Sequence, residues 1–163
     1  MRPRRLTARI FAALVLLFGA HTGALADELA DALVAYEQGD YETAIGLLRP
    51  LAEAGDGEAQ SWLGFMYENG SGVAADPAAA AEWYRLAADQ GDAASQYRLG
   101  QMHLQGLGVP KDMVQAQMWM EIAAAHGQAA SSQERTMIDS SLSFDQREKA
   151  KRLTEEWLAA HSQ

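Results

Sequence analysis

The chain has 163 residues, with 13 Lys and Arg against 22 Asp and Glu, and no cysteine. The missing cysteines exclude a disulfide scaffold, thiol catalysis and cysteine-ligated zinc. The surplus of acid repels phosphate backbones and anionic lipid heads, which argues against nucleic acid as a partner.

Residues 1–26 read as a secretory signal peptide. Arg2, Arg4, Arg5 and Arg9 give a positive start, residues 10–20 an apolar run, and Ala24-Leu25-Ala26 a small-x-small cleavage site. Cleavage after Ala26 predicts a periplasmic or secreted chain beginning at Asp27. The apolar run is shorter than the roughly 20 residues a bilayer span requires. No stable membrane span is expected after cleavage, and retention of the leader as an anchor is the alternative. The leader removes four of the 13 bases and none of the 22 acids, so the remainder carries −13. Most of that imbalance lies in residues 27–92, which hold fourteen acids and two bases, Arg49 and Arg85. It favours a basic protein or a cationic ligand, although it also serves solubility.

Helices are predicted near 28–38, 42–54, 57–69, 77–90, 93–105, 112–126, 130–141 and 144–160. The first pair closes on a Gly39-Asp40 turn and keeps Tyr36, Tyr41 and Ala44 in pattern. The third helix carries the stripe Gln60, Leu63, Gly64 and Tyr67 and stops at Asn69-Gly70-Ser71-Gly72. Asp76 before Pro77 is an N-cap followed by proline at the first helical position. Ala80, Trp83, Tyr84, Ala87, Ala88 and Gly91 then fall on one helix face. Gln96, Leu99, Gly100 and His103 form the next stripe, ended by Gln105-Gly106-Leu107-Gly108. Gly91 and Gly127 suit left-handed C-caps. Asp112 with Gln115, and Ser143 with Gln146, have capping-box spacing. Ala150, Leu153 and Trp157 mark the last amphipathic helix. No stretch alternates with period two, so no strand is expected.

These stripes repeat. Ala44, Ala52 and Gly55 return 36 residues on as Ala80, Ala88 and Gly91, and again as Ala116, Ala124 and Gly127. Gln60, Leu63, Gly64, Met66, Gly70, Gly72, Val73 and Asp76 return as Gln96, Leu99, Gly100, Met102, Gly106, Gly108, Val109 and Asp112. Such a period means stacked hairpins rather than one central core. The expected organisation is a signal peptide at 1–26, a variant unit at 27–56, full units at 57–92 and 93–127, and a degenerate unit with a capping helix at 128–163. In the last, Arg135 and Thr136 replace the Leu-Gly pair, as an atypical stack end should.

The segments 80–91, 94–103 and 106–112 carry a resemblance to the Sel-one-like repeat family, relatives of the tetratricopeptide repeats. The resemblance implies an all-α fold. It would be a right-handed α/α superhelical solenoid of about three helix-hairpin repeats plus a C-terminal capping helix pair, acting as a scaffold for protein–protein contacts. Bacterial members are often exported and linked to cell-envelope assembly and signalling, including restraint of sensor kinases. Some cysteine-rich members are connected with β-lactam binding. This chain lacks their cysteine pairs, and that activity does not carry over.

By the same resemblance, the first helix of each unit lines the concave face. That places Ser61, Phe65 and Glu68 from one unit, and Tyr97, Gln101 and Gln105 from the next, on the candidate partner surface. Phe65 also lies off its packing stripe, either as an interface anchor or packed on the preceding unit. Trp83, Trp119 and Trp157 sit on stripes and are assigned to the core. His103 takes the place of Tyr67 and reads as a packing residue. His126 sits beside a capping glycine, where a partly charged ring is favourable.

No nucleophile, base and orienting group fall into a recognisable set, and no two histidines share a helix face. The glycine loops lack the strand and third glycine of a dinucleotide site. No catalytic residue, metal or cofactor is expected. The function expected first is a monomeric, non-catalytic adaptor of the cell envelope that regulates or assembles an envelope complex. The alternative is a module binding cell-wall glycan or peptide through Trp62, Phe65 and Tyr97, and a cell-wall hydrolase comes third.

Overall fold

The computed structural model describes residues 27–128 and 132–161. The signal-peptide segment lies outside them. Eight helices occur among the described residues and no strand. They are α1 (27–37), α2 (Tyr41–Glu53), α3 (Gly57–Asn69), α4 (Pro77–Asp89), α5 (Ala93–Gln105), α6 (Met113–Ala125), α7 (Ser132–Ser141) and α8 (Phe144–His161). Consecutive helices pack as antiparallel hairpins, and the hairpins stack into a superhelical solenoid.

Helix starts follow from aspartates in repeat phase. Asp40, Asp76 and Asp112 cap α2, α4 and α6, while Asp56 and Asp92 cap α3 and α5. Each carboxylate accepts a backbone N–H two or three residues on, for instance Ala59 N–H to Asp56 at 2.8 Å. Such a cap is worth about 1 kcal/mol. The Asp112–Gln115 box closes on one side only. Gln115 N–H reaches Asp112 (3.1 Å), but the Asp112 N–H donates to the His103 carbonyl instead. The Ser143–Gln146 box forms in both directions, at 3.3 and 2.9 Å. Helices α4 and α6 end at Gln90 and His126, and the expected left-handed glycine caps close them: the Gly91 and Gly127 N–H groups reach the Ala88 and Ala124 carbonyls, and the Asp92 and Gln128 N–H groups reach Ala87 and Ala123. Gly91 and Gly127 follow one residue later with positive φ.

The core is a chain of adjoining clusters. Leu48, Leu51, Leu63 and Met66 join α2 to α3. Tyr84, Leu99, Met102, Trp119 and Ile122 join α4, α5 and α6. Met120, Ile138, Leu142 and Ala150 tie α6 to α7 and α8. Close approach between helices depends on two glycines one repeat apart. A Cβ at Gly64 would lie 2.7 Å from the Tyr84 ring, and one at Gly100 would lie 2.7 Å from Met120 Cγ.

Of the three tryptophans assigned to the core, only Trp119 is fully buried. Trp157 lies edge-on to it (5.8 Å between centroids) and Arg85 covers it at 5.0 Å. Trp83, one repeat earlier, meets no second ring among the described residues and stays half-buried, as does Trp157. Trp119 is sealed by Trp157 of α8 and Arg85 of α4, whereas Trp83 packs against the cluster that joins α2 to α3.

Candidate functional site

An open hollow lies where α1, α3, α4 and α5 face one another. It is an open groove of about 830 Å³. Helix α3 supplies Glu58, Ser61, Trp62 and Phe65, α1 supplies Tyr36, α4 supplies Tyr84, and Gln90, Asp92 and Arg98 line the far side. The four α3 residues recur at i, i+3, i+4 and i+7, so one helix face carries them. The opposite face, with Leu63 and Met66, is buried in the core.

Rings form one wall. Trp62 lies 5.2 Å from Tyr36 and 5.8 Å from Phe65, and Phe65 lies 6.0 Å from Tyr36, in tilted or edge-on contact. All three remain half-buried. Phe65 thus packs on the preceding unit and lines the groove as well.

The other side is a polar network held by the repeat. Asp92 accepts Ser95 N–H at 2.7 Å and the Ser61 hydroxyl at 3.1 Å. Gln90 donates to Gln60 at 2.7 Å, while Gln60 donates to the Ala52 carbonyl. The Tyr84 hydroxyl donates to Glu68 at 2.7 Å. Burial first, and that acceptor second, raise the phenol far above its usual range, so it remains protonated and the donor.

The candidate residues therefore separate. Ser61 and Phe65 line the groove. Glu68 does not line it but orients Tyr84, which does. Tyr97 and Gln101 turn toward the C-terminal helices: Tyr97 donates to Glu134 of α7 at 2.7 Å and accepts from Gln101 at 2.9 Å. Burial, then Glu134, push the Tyr97 phenol up to about 12. Gln105 is exposed at the end of α5, away from the groove. Glu58, Tyr36 and Arg98 were missed as groove residues. The spacing of Glu58, Ser61, Trp62 and Phe65 was a usable signal for α3. Nothing in the sequence signalled Tyr36, which arrives from another unit.

A second hollow of about 590 Å³ lies beside α8, where His161 stacks on Trp157 (3.9 Å) and His126 meets the same ring edge-on (5.8 Å). Among the described residues, no three metal-ligating side chains gather to hold an ion. His103 is buried, its Nδ1 facing the Pro110 carbonyl at 3.3 Å. Desolvation lowers its pKa, so the ring is neutral and Nδ1 carries the proton. No helix of the described residues is long and apolar enough to cross a membrane.

Residues 28–56, 57–92 and 93–128 each match the Sel1 repeat. Among solved structures, the chain is similar to a protective antigen present in uropathogenic Escherichia coli strains that displays an SLR fold. The two are 28% identical with a TM-score of 0.79, over 86% of this chain and 31% of that one. It is also similar to a Sel1 repeat protein from Oxalobacter formigenes, at 26% identity and a TM-score of 0.65, over 79% of this chain and 55% of that one. The chain thus spans less than two thirds of either structure. No curated protein matches it.

Proposed function

The chain belongs to the Sel1 repeat family, whose members are generally protein–protein interaction scaffolds, and on that premise we propose that it is an exported, non-catalytic adaptor of the cell envelope. It grips a protein or peptide partner in the groove between α1, α3, α4 and α5. One observation carries this reading. The groove is open and walled by Tyr36, Trp62 and Phe65, rings that repeat packing leaves half-exposed. Aromatic anchors of this kind dominate the energetics of interfaces. The leader at residues 1–26 supports a periplasmic location, and the role there is to assemble or regulate an envelope complex.

Affinity capture of tagged residues 27–163 from an envelope extract tests the proposal. The expected result is a protein retained by the native chain and lost with Trp62→Ala or Phe65→Ala. Capture indifferent to both substitutions would remove the groove as the binding face. Absence of any reproducible protein partner would end the adaptor reading.

A second reading, a module for cell-wall glycan or peptide, is favoured by Trp62 and Phe65 sharing one groove, since ring faces offer apolar platforms. Co-sedimentation with purified cell wall separates the two. A chain that stays wholly in the supernatant removes the wall-binding alternative.

A further inference from the structure

Among the described residues, the acids around the groove have no ion-pair partners. Fourteen acids and two bases fall between residues 27 and 92, and neither base goes to an acid. Arg49 donates to the Tyr67 hydroxyl at 3.0 Å, and Arg85 lies over Trp119. Arg98, the basic side chain on the groove lining, donates to Gln101 at 3.1 Å. The ion pairs among the described residues, Arg147–Asp139 and Arg152–Glu156, lie on the C-terminal helices.

Several of the acids are satisfied in other ways. Asp40, Asp56, Asp76 and Asp92 cap helices, and Glu68 holds Tyr84. Glu58 has no such engagement. It is exposed in the first turn of α3, lines the groove, and stands one helical turn from Trp62. A free carboxylate beside a half-exposed indole and phenyl ring fits one kind of side chain. Lysine and arginine carry an apolar stem that lies along ring faces and a cationic head that reaches past them.

We propose that the occupant of the groove is an extended basic segment of a protein, with a lysine or arginine laid across Trp62 and Phe65 and its head at Glu58. The proposal rests on the groove being the binding face and adds its charge selectivity. The repeat also sets the register. One unit on, positions 58 and 62 become Ala94 and Arg98. The carboxylate and the indole vanish together, and a cation takes the indole's place. A second basic side chain is repelled there, so the anchoring cation sits over α3 and not α5.

The test is binding of residues 27–163 to three fluorescein-labelled dodecapeptides, alternating valine with lysine, glutamine or glutamate. The lysine peptide is expected to bind about tenfold tighter than the glutamine peptide. Glu58→Gln should narrow that margin about threefold without changing helicity, and Trp62→Leu should weaken all three peptides. Equal affinity for the three, with loss in Trp62→Leu, leaves the groove as the binding face and overturns its charge selectivity. Binding that ignores both substitutions overturns the groove itself. A lysine peptide that fails to bind at millimolar concentration overturns the proposal as well.

Discussion

His126 donates its Nδ1–H to Gln96 Oε1 across 2.8 Å, at the place where Gln90 donates to Gln60 one repeat earlier. Gln96 spends its own amide N–H on the Ala88 carbonyl at 2.9 Å, as Gln60 does on Ala52. That fixes which end of the Gln96 amide faces the ring, and with it the imidazole tautomer. The chain thus uses two different donors for one latch between successive units.

His126→Gln should keep the latch, because glutamine already performs this task at position 90, and lose only the edge-on ring contact with Trp157, about 0.5–1.5 kcal/mol. Gln96→Leu removes both bonds and should cost about 1–3 kcal/mol. Thermal unfolding followed by circular dichroism checks both. A larger loss in His126→Gln would mean that glutamine at position 126 does not re-form the bond to Gln96.

Two helical glycines should respond oppositely to the same change. A Cβ at Gly46 meets nothing within 4 Å, so Gly46→Ala should stabilise by about 0.5–1 kcal/mol through helix propensity. A Cβ at Gly64 meets the Tyr84 ring at 2.7 Å, so Gly64→Ala should destabilise by about 1–3 kcal/mol. Chemical denaturation of both variants is the measurement.

His103 should make the fold acid-sensitive. Burial lowers its pKa below the ordinary 6.5, so the unfolded chain takes up the proton first. Stability from this group is present above about 6.5 and is lost as pH falls from there through the folded-state value. His103→Tyr, which copies Tyr67 from the preceding unit, should flatten the dependence of Tm on pH between 7 and 5. Parallel slopes for the two proteins would rule out His103 as the source.

Tyr97 should fasten α7 and fail in alkali. Its hydroxyl is raised to about 12 from 10.0 by burial and by Glu134. Its contribution is whole below pH 10 and is lost as pH rises through 12. Tyr97→Phe should quicken amide exchange in α7 while leaving α3 unchanged, and should soften the alkaline loss. Unchanged exchange in α7 would show that Ile138 and Leu142 suffice to hold it.

Much of the fold was legible because its causes are local. Aspartate before each helix, glycine after it and apolar residues at helical spacing act within a turn or two, and each bears on the residues beside it. The left-handed caps expected at Gly91 and Gly127 form because glycine alone accepts that backbone without strain. The candidate surface was less legible. Ser61 and Tyr97 hold equivalent positions in consecutive repeats, yet Ser61 faces the groove and Tyr97 is spent on Glu134. Repeat arithmetic treats them alike, and the degenerate last hairpin does not.

By itself the sequence determined the helices, their ends, the 36-residue phase and the face each helix turns to its neighbours, since all of these depend on short-range spacing. Only the tertiary structure decided which remaining faces stay open. Along α3 the stripe Glu58, Ser61, Trp62 and Phe65 meets Tyr36 and leaves a groove, whereas on α5 Tyr97 is engaged by Glu134 of α7 and Gln101 donates to Tyr97. Exposure depends on what the next hairpin covers, and here the covering hairpin is the one that breaks the repeat.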